Sequence, residues 1–326
     1  MVRKVLHHAN FCTRLVLRDS AQRWIVGQTR GKLKDFECKT VSLMQNYRNG
    51  KWANKIISMQ HPDGSWGCFH TLHGASDTPI TTEMALLRLE LLGYTEEDEC
   101  IKRAVAHMET LLYTGELPEG KEKTSDFETF VNLIVATRIR RFTFRCGAAN
   151  SIAEKWAQII TAAFSGGAYS QSDYDERYMQ VFGRKPKGGR LVDFVNFYQI
   201  SLLPGLLDKP TESLMLDYIL KHENGIYYVY ESRLDAVPGD FQNKRASRYL
   251  AAIELLARYA SGKDKLSFAY DWLRKNQQLD GTWDMGTEAK DGVYFPLSDR
   301  WDKAARIADS TNRISKLFFP SYCGHN

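Results

Sequence analysis

The string Gln60-x-x-Asp63-Gly64-x-Trp66 returns later in the chain as Gln277-x-x-Asp280-Gly281-x-Trp283. Each residue type in it has a physical reason to sit at a helix end. Glycine takes the positive φ that a tight turn after a helix demands. Aspartate bonds its own backbone two residues on. Tryptophan buries a large apolar face while its N–H needs an acceptor. Each copy therefore reads as a helix end, a turn and an aromatic peg that fastens neighbouring helices, and its recurrence points to a repeat architecture.

The stretches between the two copies alternate in character. Ser20 to Leu33 and the interrupted stretch Asp35 to Met59, broken at Asn49-Gly50, lead into the first copy. Thr78-Pro79 then opens a helix that Gly93 ends, with so little polar face that it is expected to be buried on most sides. Glu96 to Leu112 carries a single apolar stripe among charges, the pattern of a helix with one side in water. Ser125 to Ile139, Leu191 to Leu203, Arg245 to Tyr259 and Ile307 to Phe319 repeat the apolar type. Ala149 to Ala163, Glu212 to Leu220 and Lys265 to Asn276 repeat the two-sided type. Gly166-Gly167 and Asn224-Gly225, each followed by an aromatic residue, look like worn copies of the turn. Paired helices must stack to bury their faces, so the expectation is an all-α fold, an α/α toroid of about six inner and six outer helices. A single domain is expected over 20–326 behind an extension at 1–19, with long loops at 166–189 and 284–306 over one mouth.

Composition narrows the function classes. The 326 residues are 43% hydrophobic and 25% charged, enough apolar material for a large core. A net charge of +5 is too mild to imply nucleic acid or a membrane surface as partner. Six cysteines, at 12, 38, 68, 100, 146 and 323, show no CxxC spacing, so a reduced compartment is the simpler reading. Two histidines stand where a signal peptide would need its apolar run, and no stretch has the length of a membrane span. The expectation is a cytoplasmic protein with no transmembrane segment.

A helix followed by Gln-x-x-Asp-Gly-x-Trp and then an apolar helix resembles the repeat of the squalene cyclase, terpenoid cyclase and protein prenyltransferase β-subunit superfamily. The resemblance implies a barrel braced from outside by the repeats, with chemistry in a central cavity near the amino ends of inner helices. It also implies motifs that are missing here. No Asp-x-Asp-Asp string is present to hold a protonated acid among carboxylates, and no Asp-Asp-x-x-Asp string to hold magnesium and diphosphate. Asp173-Tyr174-Asp175-Glu176 falls in a polar segment expected to be loop. Asp98-Glu99-Cys100, the one Asp-x-Cys pair, opens a helix of the outer type, where its acids complement the helix dipole; no metal and no cofactor are expected.

If the inner helices start at one mouth, Asp77, Asp126, Asp193 and Asp309 are the candidate catalytic acids, and His73, in the loop that also carries His70, is the candidate base. The plainer reading of Asp77, Asp126 and Asp309 is helix capping. Arg245, Arg248 and Arg313, cations near helix starts, need anionic partners, and with Glu83, Tyr198 and Tyr249 they form the candidate ligand-binding set. Trp66, Trp283, Phe197 and Phe295 could line the cavity, although rings at helical spacing more often build core.

Two functions of different class follow. One is a terpenoid cyclase-like or prenyltransferase-like protein that takes a mainly apolar, isoprenoid or lipid-like small molecule with an anionic group. The other is a non-catalytic binding or scaffold toroid; a carbohydrate-active α/α barrel with paired carboxylates is a third. Whether the chain is an enzyme stays open at this point.

Overall fold

A computed structural model describes residues 47–72, 77–117, 127–187, 189–191 and 193–318, all within 47–326, the second of two compact units into which the chain divides. The expected boundary at residue 19, the expected first helix, Asp126 and His73 lie outside the described residues. Among the described residues the fold is all-α, with isolated bridges such as Asn196 to Tyr227 but no strand. The helices are α1 (Lys51–Ser58), α2 (Thr82–Leu91), α3 (Glu99–Thr114), α4 (Phe127–Phe142), α5 (Gly147–Ala163), α6 (Gln171–Phe182), α7 (Phe197–Leu202), α8 (Lys209–Lys221), α9 (Lys244–Leu256), α10 (Gly262–Lys265), α11 (Ser267–Lys275) and α12 (Lys303–Phe318).

The two peg turns are built alike, bond for bond. The Trp66 indole N–H donates to the Ile56 carbonyl at 2.6 Å, and that of Trp283 to the Leu273 carbonyl at 2.7 Å. Their backbone N–H groups donate to Thr82 Oγ1 at 2.9 Å and Thr311 Oγ1 at 3.0 Å. Asp63 accepts from the Ser65 N–H, and Asp280 from the Thr282 N–H. Each glutamine folds back on its turn, Gln60 onto the Gly64 carbonyl and Gln277 onto that of Gly281. Each tryptophan thus ties the helix before it (α1 or α11) to the helix after it (α2 or α12).

The worn copies keep the backbone and lose the peg. Gly167 and Gly225 hold positive φ and donate to the Phe164 and His222 carbonyls at 3.0 Å, as Gly64 does to His61. Tyr169 and Tyr227 stand in for tryptophan, and their rings join neighbouring rings: Tyr169 lies 4.5 Å from Tyr218, and Tyr227 lies 4.1 Å from Tyr228.

The more apolar helices contact one another in chain order, α2 with α4, α4 with α7, α7 with α9. Twelve of the sixteen residues of α4 are buried. Several expected bounds shift for local reasons. Helix α2 starts at Thr82 rather than at Thr78-Pro79, because Thr81 caps it by accepting from the Met84 N–H at 3.1 Å, while the Thr78 hydroxyl is held by the Trp66 carbonyl. Nor is α2 buried all round: Met84 is 54% exposed. The expected loop 166–189 contains α6, where Ser170 caps the start and Tyr174 and Tyr178 bury their rings, Tyr178 against Trp156 at 5.8 Å. The Asp173 to Glu176 string is therefore helix, not loop. Helix α12 begins at Lys303, ahead of the expected Ile307.

Helix α7 is only six residues long, capped by the Asn196 side chain. Its carbonyls find donors on other elements: Thr137 Oγ1 reaches the Tyr198 carbonyl at 3.1 Å, the Tyr259 hydroxyl the Ile200 carbonyl at 2.6 Å, and Arg140 Nε the Leu202 carbonyl at 2.9 Å.

The two peg turns differ in how tightly their glycines are crowded. A Cβ on Gly64 would lie 2.3 Å from the Arg103 carbonyl oxygen, whereas a Cβ on Gly281 would meet nothing closer than 3.9 Å. Gly281→Ala should destabilise by about 1 kcal/mol, the cost of positive φ with a side chain. Gly64→Ala should cost clearly more, because backbone must also move. Urea unfolding of the two variants checks the ranking; equal losses would mean that the contact with α3 does not tighten the first turn.

Candidate functional site

The expected site residues do not share one arrangement. Asp77 is exposed in the approach to α2, with the His61 ring nitrogen 3.4 Å away. Asp193 precedes α7 and accepts from the Val195 N–H at 3.3 Å; the cap of that helix is Asn196. Asp309 is not a cap either, since α12 starts two turns earlier. It is fully buried and accepts from the Leu297 and Ser298 N–H groups at 2.7 and 3.0 Å, so it anchors the loop before its own helix. Burial pushes its carboxyl up from the ordinary range, against the pull of those donors.

The expected basic set is also divided. Arg245 is exposed and donates to the Tyr230 hydroxyl at 3.0 Å, and Arg248 is half-buried on α9. Arg313, 2% exposed, grips both oxygens of Glu254, Nε to Oε1 at 3.0 Å and Nη2 to Oε2 at 2.6 Å, with Phe295 beneath its guanidinium. Tyr249 is core: its hydroxyl donates to the Leu234 carbonyl and its ring meets Tyr230 and Trp272 edge-on. Trp66, Trp283 and Phe295 are likewise buried.

Glu83 and Tyr198 do come together, with Arg138, which the sequence alone did not single out, and with His70 of the expected histidine loop. Arg138, inside the apolar run of α4, places Nε and Nη2 on Glu83 Oε1 at 3.0 and 2.8 Å. Glu83 Oε2 lies 2.6 Å from His70 Nδ1 and accepts from the Tyr198 hydroxyl at 3.2 Å. Burial alone would raise the Glu83 carboxyl, but the Arg138 charge and the His70 bond outweigh it and hold it down at about 2, against an ordinary 4.5. Burial and the Glu83 charge push the Tyr198 hydroxyl up, so it stays a donor. Arg138 Nη1 is buried and has no hydrogen-bond partner among the described residues.

Two turns further along α2, Glu90 pairs with Arg141 of α4, Nε to Oε2 at 2.7 Å. Burial raises the Glu90 carboxyl less than Arg141 lowers it, and Arg258 and Arg138 add to that pull. Arg258, just past α9, is pushed down to about 10 by burial and by the neighbouring Arg141 charge. With buried Arg313 and half-buried Glu254 these residues form a cluster of partly buried charge between α2, α4, α9 and α12. An arginine inside an apolar helix was the available signal, since a buried guanidinium must be paired.

The other face of α2 borders a two-lobed cleft. One lobe, about 330 Å³, is lined by Ile56 of α1 and Met59 just past it, Met84 and Leu87 of α2, Ile80 and Val293. Leu87, on the helix expected to be buried on most sides, is half-buried at this lobe. The second lobe, about 290 Å³, is lined by Lys290, Arg300, Trp301 and Pro296. Trp52, Arg88 and Gly292 belong to both. Asp299, the acid of the second lobe, accepts from the N–H groups of Lys51 and Trp52 at the start of α1, so its charge faces a helix amino terminus. Arg88 donates to the Val293 and Pro296 carbonyls and fixes the loop that walls the cleft.

Because Glu83 has a depressed pKa, its ion pairs contribute stability in full above its ordinary 4.5, and that contribution is lost as pH falls toward about 2. Urea unfolding between pH 6 and pH 2.5 should show this slope, and the double variant Glu83→Gln/Arg138→Met should flatten it. Arg138→Met alone should cost about 3–5 kcal/mol at pH 7, since it leaves a buried carboxylate unpaired. No family model, no curated protein and no solved structure matches this chain.

Proposed function

We propose that the chain is an α/α toroid of the squalene cyclase type that binds a mainly apolar, isoprenoid-like small molecule with an anionic group. In favour of the toroid are the matched peg turns, the chain-order contacts of α2, α4, α7 and α9, and the bonds that bring the two ends of this series together. Asp299 accepts from the start of α1, and Arg88 of α2 holds the loop before α12.

The observation that carries the ligand reading is the two-lobed cleft. An apolar lobe continues into a lobe with Arg88, Lys290 and Arg300, and the flat ring of Trp52 belongs to both. Lobes of 330 and 290 Å³ are within or near the range of small-molecule sites. A chain-like tail would remove Met84, Leu87 and Met59 from water, at about 25 cal/mol per Å² of apolar surface covered. The head would meet cations beside Asp299, an acid already engaged by the start of α1. On this reading the ligand lies at the border between α1, α2 and the 290–301 loop, not in the expected central cavity.

Titration calorimetry with farnesyl diphosphate, farnesol and inorganic pyrophosphate tests this. The expected order of affinity is diphosphate ester first, with both fragments at least tenfold weaker and the ester's binding weakened by salt. Lys290→Ala and Arg300→Ala, both on exposed residues, should each weaken the ester by about tenfold and leave farnesol unchanged. Equal affinity for ester and alcohol, or no heat with any of the three, would remove the cleft as the ligand site.

A further inference from the structure

The two peg turns are built alike but seated differently, and a histidine goes with the difference. The first turn is docked on α3. Gln60 Nε2 donates to the Cys100 carbonyl at 2.7 Å, and Arg103 donates to Gln60 Oε1. Gly64 is pressed against the same helix, where a Cβ would fall 2.3 Å from the Arg103 carbonyl oxygen. One turn further along α3, His107 sets Nδ1 3.6 Å from Asp63 Oδ2. The second turn carries no histidine, a Cβ on Gly281 would have room, and Leu279 at its tip is fully exposed.

His107 is seated for the neutral ring. Its side chain is 10% exposed, and Nε2 is buried with no hydrogen-bond partner among the described residues. The Asp63 carboxylate beside Nδ1 keeps the proton of the neutral ring on that atom, which leaves Nε2 as a bare lone pair. A second proton would make Nε2 a charged donor with no acceptor, and such a group must be returned to water. Asp63 offsets only part of that cost. Its Oδ2 stands beyond hydrogen-bond reach of Nδ1, and its Oδ1 is taken by the Ser65 N–H and hydroxyl.

The charges around the ring act in the same sense. Burial disfavours the imidazolium, Asp63 favours it and His61 opposes it, and the balance holds His107 below its ordinary 6.5. His61 itself faces Asp77 at 3.4 Å, and Arg103, one turn back on α3, is engaged by Gln60. Helices α4 and α5, on which α3 packs, add no ionisable group that acts on His107 among the described residues.

We infer that His107 makes the corner between α1 and α2 a pH-sensitive clamp: neutral, it lets α3 hold the first peg turn; charged, it parts the turn from the helix and loosens the Trp66 corner. A histidine held low contributes stability in full above its ordinary 6.5 and loses it as pH falls below that value. Glu83 stays ionised down to its own lower range, so the two effects occupy separate windows. What the clamp does to the cleft rests on the ligand reading proposed for it. Trp66 ties Ile56, a lining residue of the apolar lobe, to Thr82 at the start of α2, and Met84 and Leu87 of that helix line the same lobe. A loosened corner gives up the shape of the lobe, so the ligand is held at neutral pH and released in mild acid.

Hydrogen exchange of the full chain at pH 7.5 and pH 5.5, each rate divided by the intrinsic rate at that pH, reads the clamp with no ligand present. Peptides covering 60–66 and 100–107 should open about tenfold more at pH 5.5, the ratio that one released histidine gives one pH unit below 6.5, and 277–283 should not change. His107→Gln and His107→Met cannot take the proton and should lose the response; either one that keeps the wild-type urea midpoint at pH 7.5 serves. A first corner unchanged at pH 5.5, an equal response at the second, or a response that survives in the variants would overturn the clamp. Titration calorimetry with farnesyl diphosphate at the same two pH values reads the cleft, and the variant subtracts the titration of the diphosphate itself. Wild type should lose about threefold more affinity than His107→Gln on going to pH 5.5. Equal losses in the two proteins would overturn the release and leave the cleft a ligand site. No binding by either at pH 7.5 would overturn the cleft reading and the release with it, while the exchange rates still decide the clamp.

Discussion

An indole N–H at the corner between two helices needs a carbonyl, and the carbonyls at the end of a helix need donors. Trp66 and Trp283 meet both needs with one bond each, to Ile56 near the end of α1 and to Leu273 near the end of α11. The same residues reach forward through their backbone to a threonine hydroxyl on the following helix. A corner that binds backwards and forwards sets the angle between consecutive helices without any sheet. The placement of α2 follows from it, and with α2 come both the apolar border of the cleft and the acids that pair with α4.

Charge inside the protein is arranged along that pairing. Glu83 and Glu90 are seven residues apart on α2 and face Arg138 and Arg141, three apart on α4. Two turns on one helix and one on the other bring both pairs to the same face. Such pairs resist slippage, since a turn of sliding would leave the buried charges of Glu83 and Arg138 unmatched. Specific register between α2 and α4 is what the ion pairs supply.

The peg turns were legible because their chemistry is local: a glycine with positive φ, an aspartate bonding two residues on and a tryptophan are adjacent in the chain. So was the all-α character, through the period of the apolar residues. What escaped was set by partners distant in sequence. Asp309 looked like a cap because an acid before an apolar run usually is one, yet its acceptors are filled from Leu297 and Ser298 of the preceding loop. The 166–189 segment looked like a loop because Ser, Asp and Tyr crowd there, yet Trp156 on α5 offers a surface on which Tyr178 and Phe182 make a helix worthwhile. His70 was legible, with His73, as a loop histidine, but nothing local announces that Glu83 will be 2.6 Å away. The two arginines of α4 carried a usable signal, a cation within an apolar period, that points to buried acid on a neighbour.

The short helix α7 has a consequence for how the molecule comes together. Six residues give almost no internal ladder, and nucleating a helix costs more than so few bonds return. Its carbonyls instead rest on hydroxyls and a guanidinium from α4 and from just past α9, about sixty positions away on either side. The stretch that bears Tyr198 therefore has no conformation of its own to fall into early. It is shaped by walls that must already stand, as a keystone is set after the arch.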